Sequence, residues 1–274
     1  MSACAMAETV FAEFHAGGRD QRLECRWIES DSPGAPLLVF LHEGLGSVSM
    51  WKDWPERVCA AAGCRGLVYS RYGYGQSTPR PPEEKRPVDF MHIEAREVLP
   101  ALFVALDVDA RRDKPLLFGH SDGGSIALLY AAMNPDAIAG VVAAAPHICV
   151  EDVSLASIAQ ARQAYLDTDL RARLGRYHAD PDSAFWGWND IWLDPAFRGW
   201  NLEEYLPRIA CPVLAIQGVD DEYGTLAQIR GIRRLAPQTE LLEIPDCGHS
   251  AHKDQPAKVI QAVAGFVGGL AQPR

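Results

Sequence analysis

The sequence has no run of eighteen apolar residues, no block of Lys or Arg, no Cys-x-x-Cys pair, no internal repeat and no low-complexity tract. Each absence excludes a class. Without a long apolar run no segment reads as a membrane-spanning helix, and Met1 to Glu8 has neither the basic start nor the apolar core of a signal peptide. The expectation is a cytoplasmic protein with no membrane partner. Cations scattered through a chain of formal charge −10 give nothing to follow a phosphate backbone, which argues against nucleic acid as a partner. The seven cysteines (Cys4, Cys25, Cys59, Cys64, Cys149, Cys211, Cys247) are odd in number and lack metal-ligand spacing, so neither a disulfide framework nor a zinc site is suggested. Most read as small buried hydrophobes. Cys149 and Cys247 lie near segments that carry candidate chemistry, yet neither sits in a cysteine-nucleophile motif. What the chain does have is 274 residues, 48% of them hydrophobic, enough for the core of one large domain or of a domain with an insertion.

The order of elements reads as follows. Thr9 to His15 and Arg22 to Glu29 alternate like two antiparallel strands joined by a turn at Gly17-Gly18-Arg19-Asp20. Pro36 to Leu41, Gly66 to Ser70, Leu116 to His120, Ile138 to Ala145, Pro212 to Gln217 and Glu240 to Ile244 supply further strands, several apolar on both faces as in a parallel sheet. Between them Trp51 to Ala62, Val88 to Leu106, Ser125 to Met133, Thr225 to Leu235 and Pro256 to Val267 read as helices. The predicted fold class is α/β, a doubly wound and mostly parallel eight-stranded sheet. Far more residues separate the strands at Ile138 and Pro212 than a crossover needs, which predicts an insertion. It holds helix-like pieces at Ser154 to Tyr165 and Asp169 to His178, and an aromatic cluster of Phe185, Trp186, Trp188, Trp192, Phe197 and Trp200.

The chemistry centres on Leu116-Leu117-Phe118-Gly119-His120-Ser121-Asp122-Gly123-Gly124, where an apolar strand passes through Gly-x-Ser-x-Gly straight into a helix. So sharp a turn strains the serine, and the flanking glycines remove the side chains that would collide. A serine hydroxyl is a weak nucleophile until a base, itself oriented by a carboxylate, stands within reach. Two later strands end in such groups: Gly218-Val219-Asp220-Asp221-Glu222 and Pro245-Asp246-Cys247-Gly248-His249-Ser250. The candidate catalytic residues are Ser121, His249 and an acid from the Asp220-Asp221-Glu222 run.

These motifs, together with Leu41-His42-Glu43-Gly44-Leu45-Gly46-Ser47, resemble the α/β-hydrolase superfamily over nearly the whole chain, including its order of serine, acid and histidine. The resemblance implies a core of residues 1–146 and 211–274 with a helical cap at 147–210. It selects Asp221 as the acid, three residues after Gly218, and assigns the oxyanion donors to the amides of Asp122 and of Gly44, with Leu45 as the fallback. Family members often have glycine where this chain has Glu43.

Glu43 has two readings, a contact for a cationic or hydroxylated substrate and a side chain bound to its own loop. The remaining substrate-binding candidates are His147, at the end of a strand, and Trp188 and Trp192. His42 is read as orienting the oxyanion loop, His120 as packing beneath the elbow and His252 as a surface residue. Asp122 is explained by the helix dipole, and Arg71 has a suitable loop but no placement. No cofactor and no metal is expected; the partner is a small-molecule substrate, with a homodimer possible for such folds. The preferred activity is hydrolysis of a small to medium ester through an acyl-enzyme. Alternatives are a carbon-carbon bond hydrolase of a meta-cleavage-type product, an aminopeptidase-like amide hydrolase, and a receptor that does not turn over.

Overall fold

The computed structural model describes residues 9–270; the Met1 to Glu8 stretch, Cys4 and residues 271–274 lie outside it. A single eight-stranded sheet runs through the molecule in the order β1-β2-β4-β3-β5-β6-β7-β8. Its strands are β1 (Thr9–Ala16), β2 (Arg19–Ile28), β3 (Leu37–Leu41), β4 (Arg65–Tyr69), β5 (Leu116–His120), β6 (Gly140–Ala144), β7 (Val213–Gly218) and β8 (Thr239–Ile244). From β4 to β8 all neighbours are parallel, while β1 pairs with β2, and β2 with β4, in antiparallel fashion.

Strands apolar on both faces need cover on both. In β3, Leu37, Val39 and Leu41 join one hydrophobic cluster and Leu38 and Phe40 the other. The first cluster is closed by residues 90–105, by the helix Asp122–Met133 and by Ile229 and Ile232 of the helix Ala227–Leu235. The second is closed by the helices Trp54–Ala62 and Pro256–Leu270, through residues such as Val58, Cys59, Val259 and Val263.

Several boundaries differ from the sequence reading for physical reasons. The first hairpin turns on Gly17 and Gly18 alone, both at positive φ (59° and 74°), and Arg19 and Asp20 are already paired in β2. Two residues at positive φ are what a type I′ hairpin demands. The helix expected from Trp51 begins at Trp54, because Pro55 fits only its first turn. The elbow helix begins at Asp122, ahead of the expected Ser125.

Between β6 and β7 the chain forms the helices Asp152–Asp167, Leu170–Leu174 and Pro181–Trp192. The second ends at Leu174, short of the expected His178. The third was read only as an aromatic cluster, although Asp180-Pro181 is a helix start. The Asp180 carboxylate accepts the amides of Asp182 (2.9 Å) and Ser183 (3.0 Å), and proline follows as the first helical residue. No helix among the described residues is long and apolar enough to cross a membrane.

Candidate active site

Ser121 stands between β5 and the helix Asp122–Met133 at φ 53°, a left-handed conformation in a residue that carries a side chain. The glycines explain why the turn closes. A Cβ at Gly119 would stand 2.2 Å from the Gly123 carbonyl oxygen, and one at Gly123 would stand 2.1 Å from that of Leu41. Ser121 Oγ hydrogen-bonds to no protein group among the described residues and faces a cavity of about 160 Å³. Glu43, Gly44, Leu45, His147, Trp188 and Trp192 line the same cavity, as does His249. The structure thus brings most of the sequence-predicted site residues together.

His249 comes from the loop after β8. Its Nδ1 lies 2.9 Å and 3.1 Å from the two carboxylate oxygens of Asp221, and its backbone amide donates to Glu222. Asp221, after β7, also accepts the amides of Tyr223 (2.8 Å) and Gly224 (3.2 Å) and the Gln217 side-chain amide (3.0 Å). Burial works against ionising this carboxyl, but the His249 bond, its charge and the Tyr223 amide outweigh burial and hold it below the usual range. Asp220 is exposed and holds the turn by its amide to the Cys247 carbonyl. No hydrogen bond joins Ser121 Oγ to His249, whose Nε2 also has no protein partner among the described residues. Such bonds often tighten only when substrate is bound.

The loop after β3 is tied down from beneath. The backbone amide of Arg71 donates to His42 Nε2 at 2.9 Å, which leaves the ring proton on Nδ1 to donate to the Glu43 carbonyl at 2.6 Å. The Arg71 guanidinium is wholly buried and donates to the Glu43 carbonyl at 2.9 Å and to that of His42 at 3.4 Å, 3.7 Å from the Asp122 carboxylate. It braces the loop and does not line the cavity. The amides of Gly44, Leu45 and Asp122 donate to no protein group among the described residues, and Gly44 and Leu45 line the cavity.

Three sequence readings need correction. His252 is buried, packed on Trp51, Trp54 and His120 with ring centroids 4.8 to 5.4 Å apart, because the chain folds back over that aromatic layer. His120 lines the cavity as well as packing beneath the elbow: Nε2 donates to the His249 carbonyl (2.9 Å) and Nδ1 lies 3.5 Å from Glu43. Asp122 does more than answer a helix dipole, since it is buried and accepts the Trp192 indole N–H at 3.2 Å, tying the elbow to the helix Pro181–Trp192. Glu43 makes no side-chain hydrogen bond to its own loop among the described residues, against the reading that bound it there. It lines the cavity, and its carboxylate lies 3.5 Å from His120 and 3.6 Å from Lys253 Nζ.

Ile158, Tyr223 and Ser250 of the cavity wall, and Gln217 behind Asp221, were not singled out from sequence. Only Tyr223 and Ser250 had a signal, their nearness to Asp221 and His249. Neither Cys149 nor Cys247 lines the cavity, and burial pushes the Cys247 thiol up to about 11. No three His, Cys, Asp or Glu side chains among the described residues are grouped to hold a metal ion.

Gly44 supplies a direct test of the cavity's shape. A Cβ there would stand 2.2 Å from Cδ1 and Nε1 of the Trp188 indole. Gly44→Ala is therefore expected to displace Trp188 and lower kcat/KM by at least about tenfold with the fold intact, as read by initial rates beside circular dichroism.

Comparison with known proteins agrees with this architecture. A mouse (Mus musculus) sn-1-specific diacylglycerol lipase is 26% identical over 85% of this chain and 81% of its own length. Human (Homo sapiens) monoglyceride lipase is 33% identical over 46% of this chain and 40% of its own. An esterase from Thermogutta terrifontis, solved with malate bound, superposes with a TM-score of 0.71 at 20% identity, covering 97% of this chain and all of the other. The family described as the alpha/beta hydrolase family matches residues 38–262. A match over most of its length, on this sheet order, establishes that the chain belongs to the alpha/beta hydrolase family.

Proposed function

We propose that this chain is a serine hydrolase that cleaves a small to medium organic ester through an acyl-enzyme. The observation that carries the reading is the shared cavity, lined both by a strained, unbonded Ser121 and by His249, whose Nδ1 Asp221 holds. In this reading His249 takes the proton of Ser121 as the hydroxyl attacks the ester carbonyl. Asp221 keeps the ring in the tautomer that leaves Nε2 free to accept. The amides of Asp122 and Gly44, with Leu45 in reserve, receive the oxyanion at the positive end of the elbow helix. The alcohol leaves with the proton from His249, and water activated by the same ring releases the acid.

Residues 147–210 then act as the cap over a core of 1–146 and 211–274, contributing Ile158, Trp188 and Trp192 to the cavity roof. The lipases among the relatives support an ester bond. The cavity of about 160 Å³ favours a short chain or a single ring over a long lipid tail, since a comparable cavity just holds benzene. A carbon-carbon hydrolase of a dienoate would need a free cation for its carboxylate. The two near candidates are engaged, Arg71 with backbone carbonyls and Asp122, and Lys253 with Glu43.

Initial rates on p-nitrophenyl esters from acetate to decanoate test the reading. Sustained turnover with a short-chain optimum is expected. Release of a single equivalent of nitrophenol would point instead to a receptor, and an optimum at decanoate would contradict a reading built on so small a cavity.

A further inference from the structure

We propose that His147 is the hydrogen-bond donor that selects the acyl part of the substrate, and that this part carries an uncharged oxygen: a hydroxyl, keto or ether group beyond the scissile carbonyl. The proposal rests on the ester-hydrolase reading of the cavity and names the class of ester it takes.

The site is built around this one side chain. The chain leaves β6 through Ala145 at φ 46°, a left-handed conformation unfavourable for alanine, and then turns His147 into the cavity. The position is held on both sides. Ser125 Oγ, from the elbow helix, donates to the His147 carbonyl (2.7 Å) and accepts the His147 amide (3.0 Å). The next amide, of Ile148, donates to Gln228 at 2.6 Å. The ring meets Trp192 edge-on, centroids 4.8 Å apart. Backbone strain held by so many bonds marks a side chain that is being aimed.

No group among the described residues answers that aim. His147 is 2% exposed, and neither ring nitrogen hydrogen-bonds to a protein group among the described residues. Its neighbours in the wall, Ile158, Trp188 and Trp192, would suit an apolar side chain at this place better. A buried imidazole without partners costs free energy unless a ligand completes it. Nδ1 is sealed from solvent and unpartnered. A sealed nitrogen is less costly as a lone pair than as an orphan N–H, so the proton sits on Nε2 and the ring offers a donor.

The charge of the ligand follows from the surroundings. Burial, reinforced by nearby His249, pushes His147 down to about 3, so the ring is a neutral donor near pH 7. The Glu43 carboxylate in the same wall repels an anion, and Lys253 and Arg71 are already engaged. An uncharged oxygen satisfies the donor without bringing a second negative charge beside Glu43.

The test compares two isosteric esters, p-nitrophenyl pentanoate and p-nitrophenyl 3-methoxypropanoate, which differ by one methylene replaced with oxygen. The readout is the ratio of their kcat/KM values, oxygenated over plain, in the wild type, His147→Phe and His147→Gln. The ratio cancels general damage to the site, and His147→Leu replaces the phenylalanine variant should that one not fold. The ratio is expected to fall at least about tenfold in the apolar variant and to recover in His147→Gln, which keeps a neutral donor. A ratio unchanged among the variants, or a preference for the anionic 3-carboxypropanoate ester, overturns the proposal and leaves the ester reading standing. No turnover of any of these esters by the wild type overturns both.

Discussion

Ser121→Ala is expected to lower kcat/KM for any ester by at least about ten-thousandfold while Tm moves by less than about 2 °C. The two halves come from separate observations. Ser121 lines the cavity that His249 also lines, which is why its hydroxyl is proposed as the attacking group. Its Oγ bonds to no protein group among the described residues, so removing it orphans no partner. Alanine must still adopt the φ of 53°, and the backbone strain is unchanged. Ser121→Gly separates strain from chemistry: it should be as inactive as the alanine variant yet raise Tm, because glycine accepts a positive φ without penalty. Initial rates and thermal melts on the three proteins check both halves. Substantial activity in the alanine variant would remove the nucleophile from the account.

Asp221→Asn is expected to cost a similar factor, about ten-thousandfold in kcat. The Asp221 carboxylate faces donors only: His249 Nδ1, two backbone amides and the Gln217 amide. Asparagine has one oxygen to offer them. If its NH2 turns to His249, the ring must carry its proton on Nε2 and can no longer accept one from serine. The same carboxylate links stability to pH. Its folded pKa lies below the unfolded value, so its contribution is fully present above about pH 4 and is lost as pH falls through the folded value. The stability advantage of wild type over Asp221→Asn should therefore shrink on acidification, in melts from about pH 7 to about pH 3. An advantage that grows in acid would contradict the assigned ionisation.

What could be read from sequence and what could not divide along a physical line. Strands buried on both faces, such as β3, β5 and β6, announce themselves as unbroken apolar runs, while β1 and β2 showed through alternation around a glycine turn. The strained elbow needs glycine at fixed offsets, so Ser121 was legible from Gly119 and Gly123. Contacts made by long-range folding left no such trace. Trp192 and Asp122 meet across 70 positions, and nothing local to either residue predicts an indole N–H on that carboxylate. His252 was read as exposed from its place at a helix start, yet it is covered by Trp51 and Trp54 from another part of the chain. The helix Pro181–Trp192 buries most of its length, which blurred its period, and only Asp180-Pro181 marked its start.

The central claim is that the reaction passes through an acyl group on Ser121. Intact-mass and peptide-mass measurements on enzyme quenched with acid within the first turnover of a short-chain p-nitrophenyl ester test it most directly. The account predicts a mass increment of one acyl group on the peptide that carries Ser121, absent from Ser121→Ala and decaying once substrate is exhausted. An increment on another residue, such as Cys149 or Cys247, or full turnover with no acylated enzyme formed from Ser121, would contradict it.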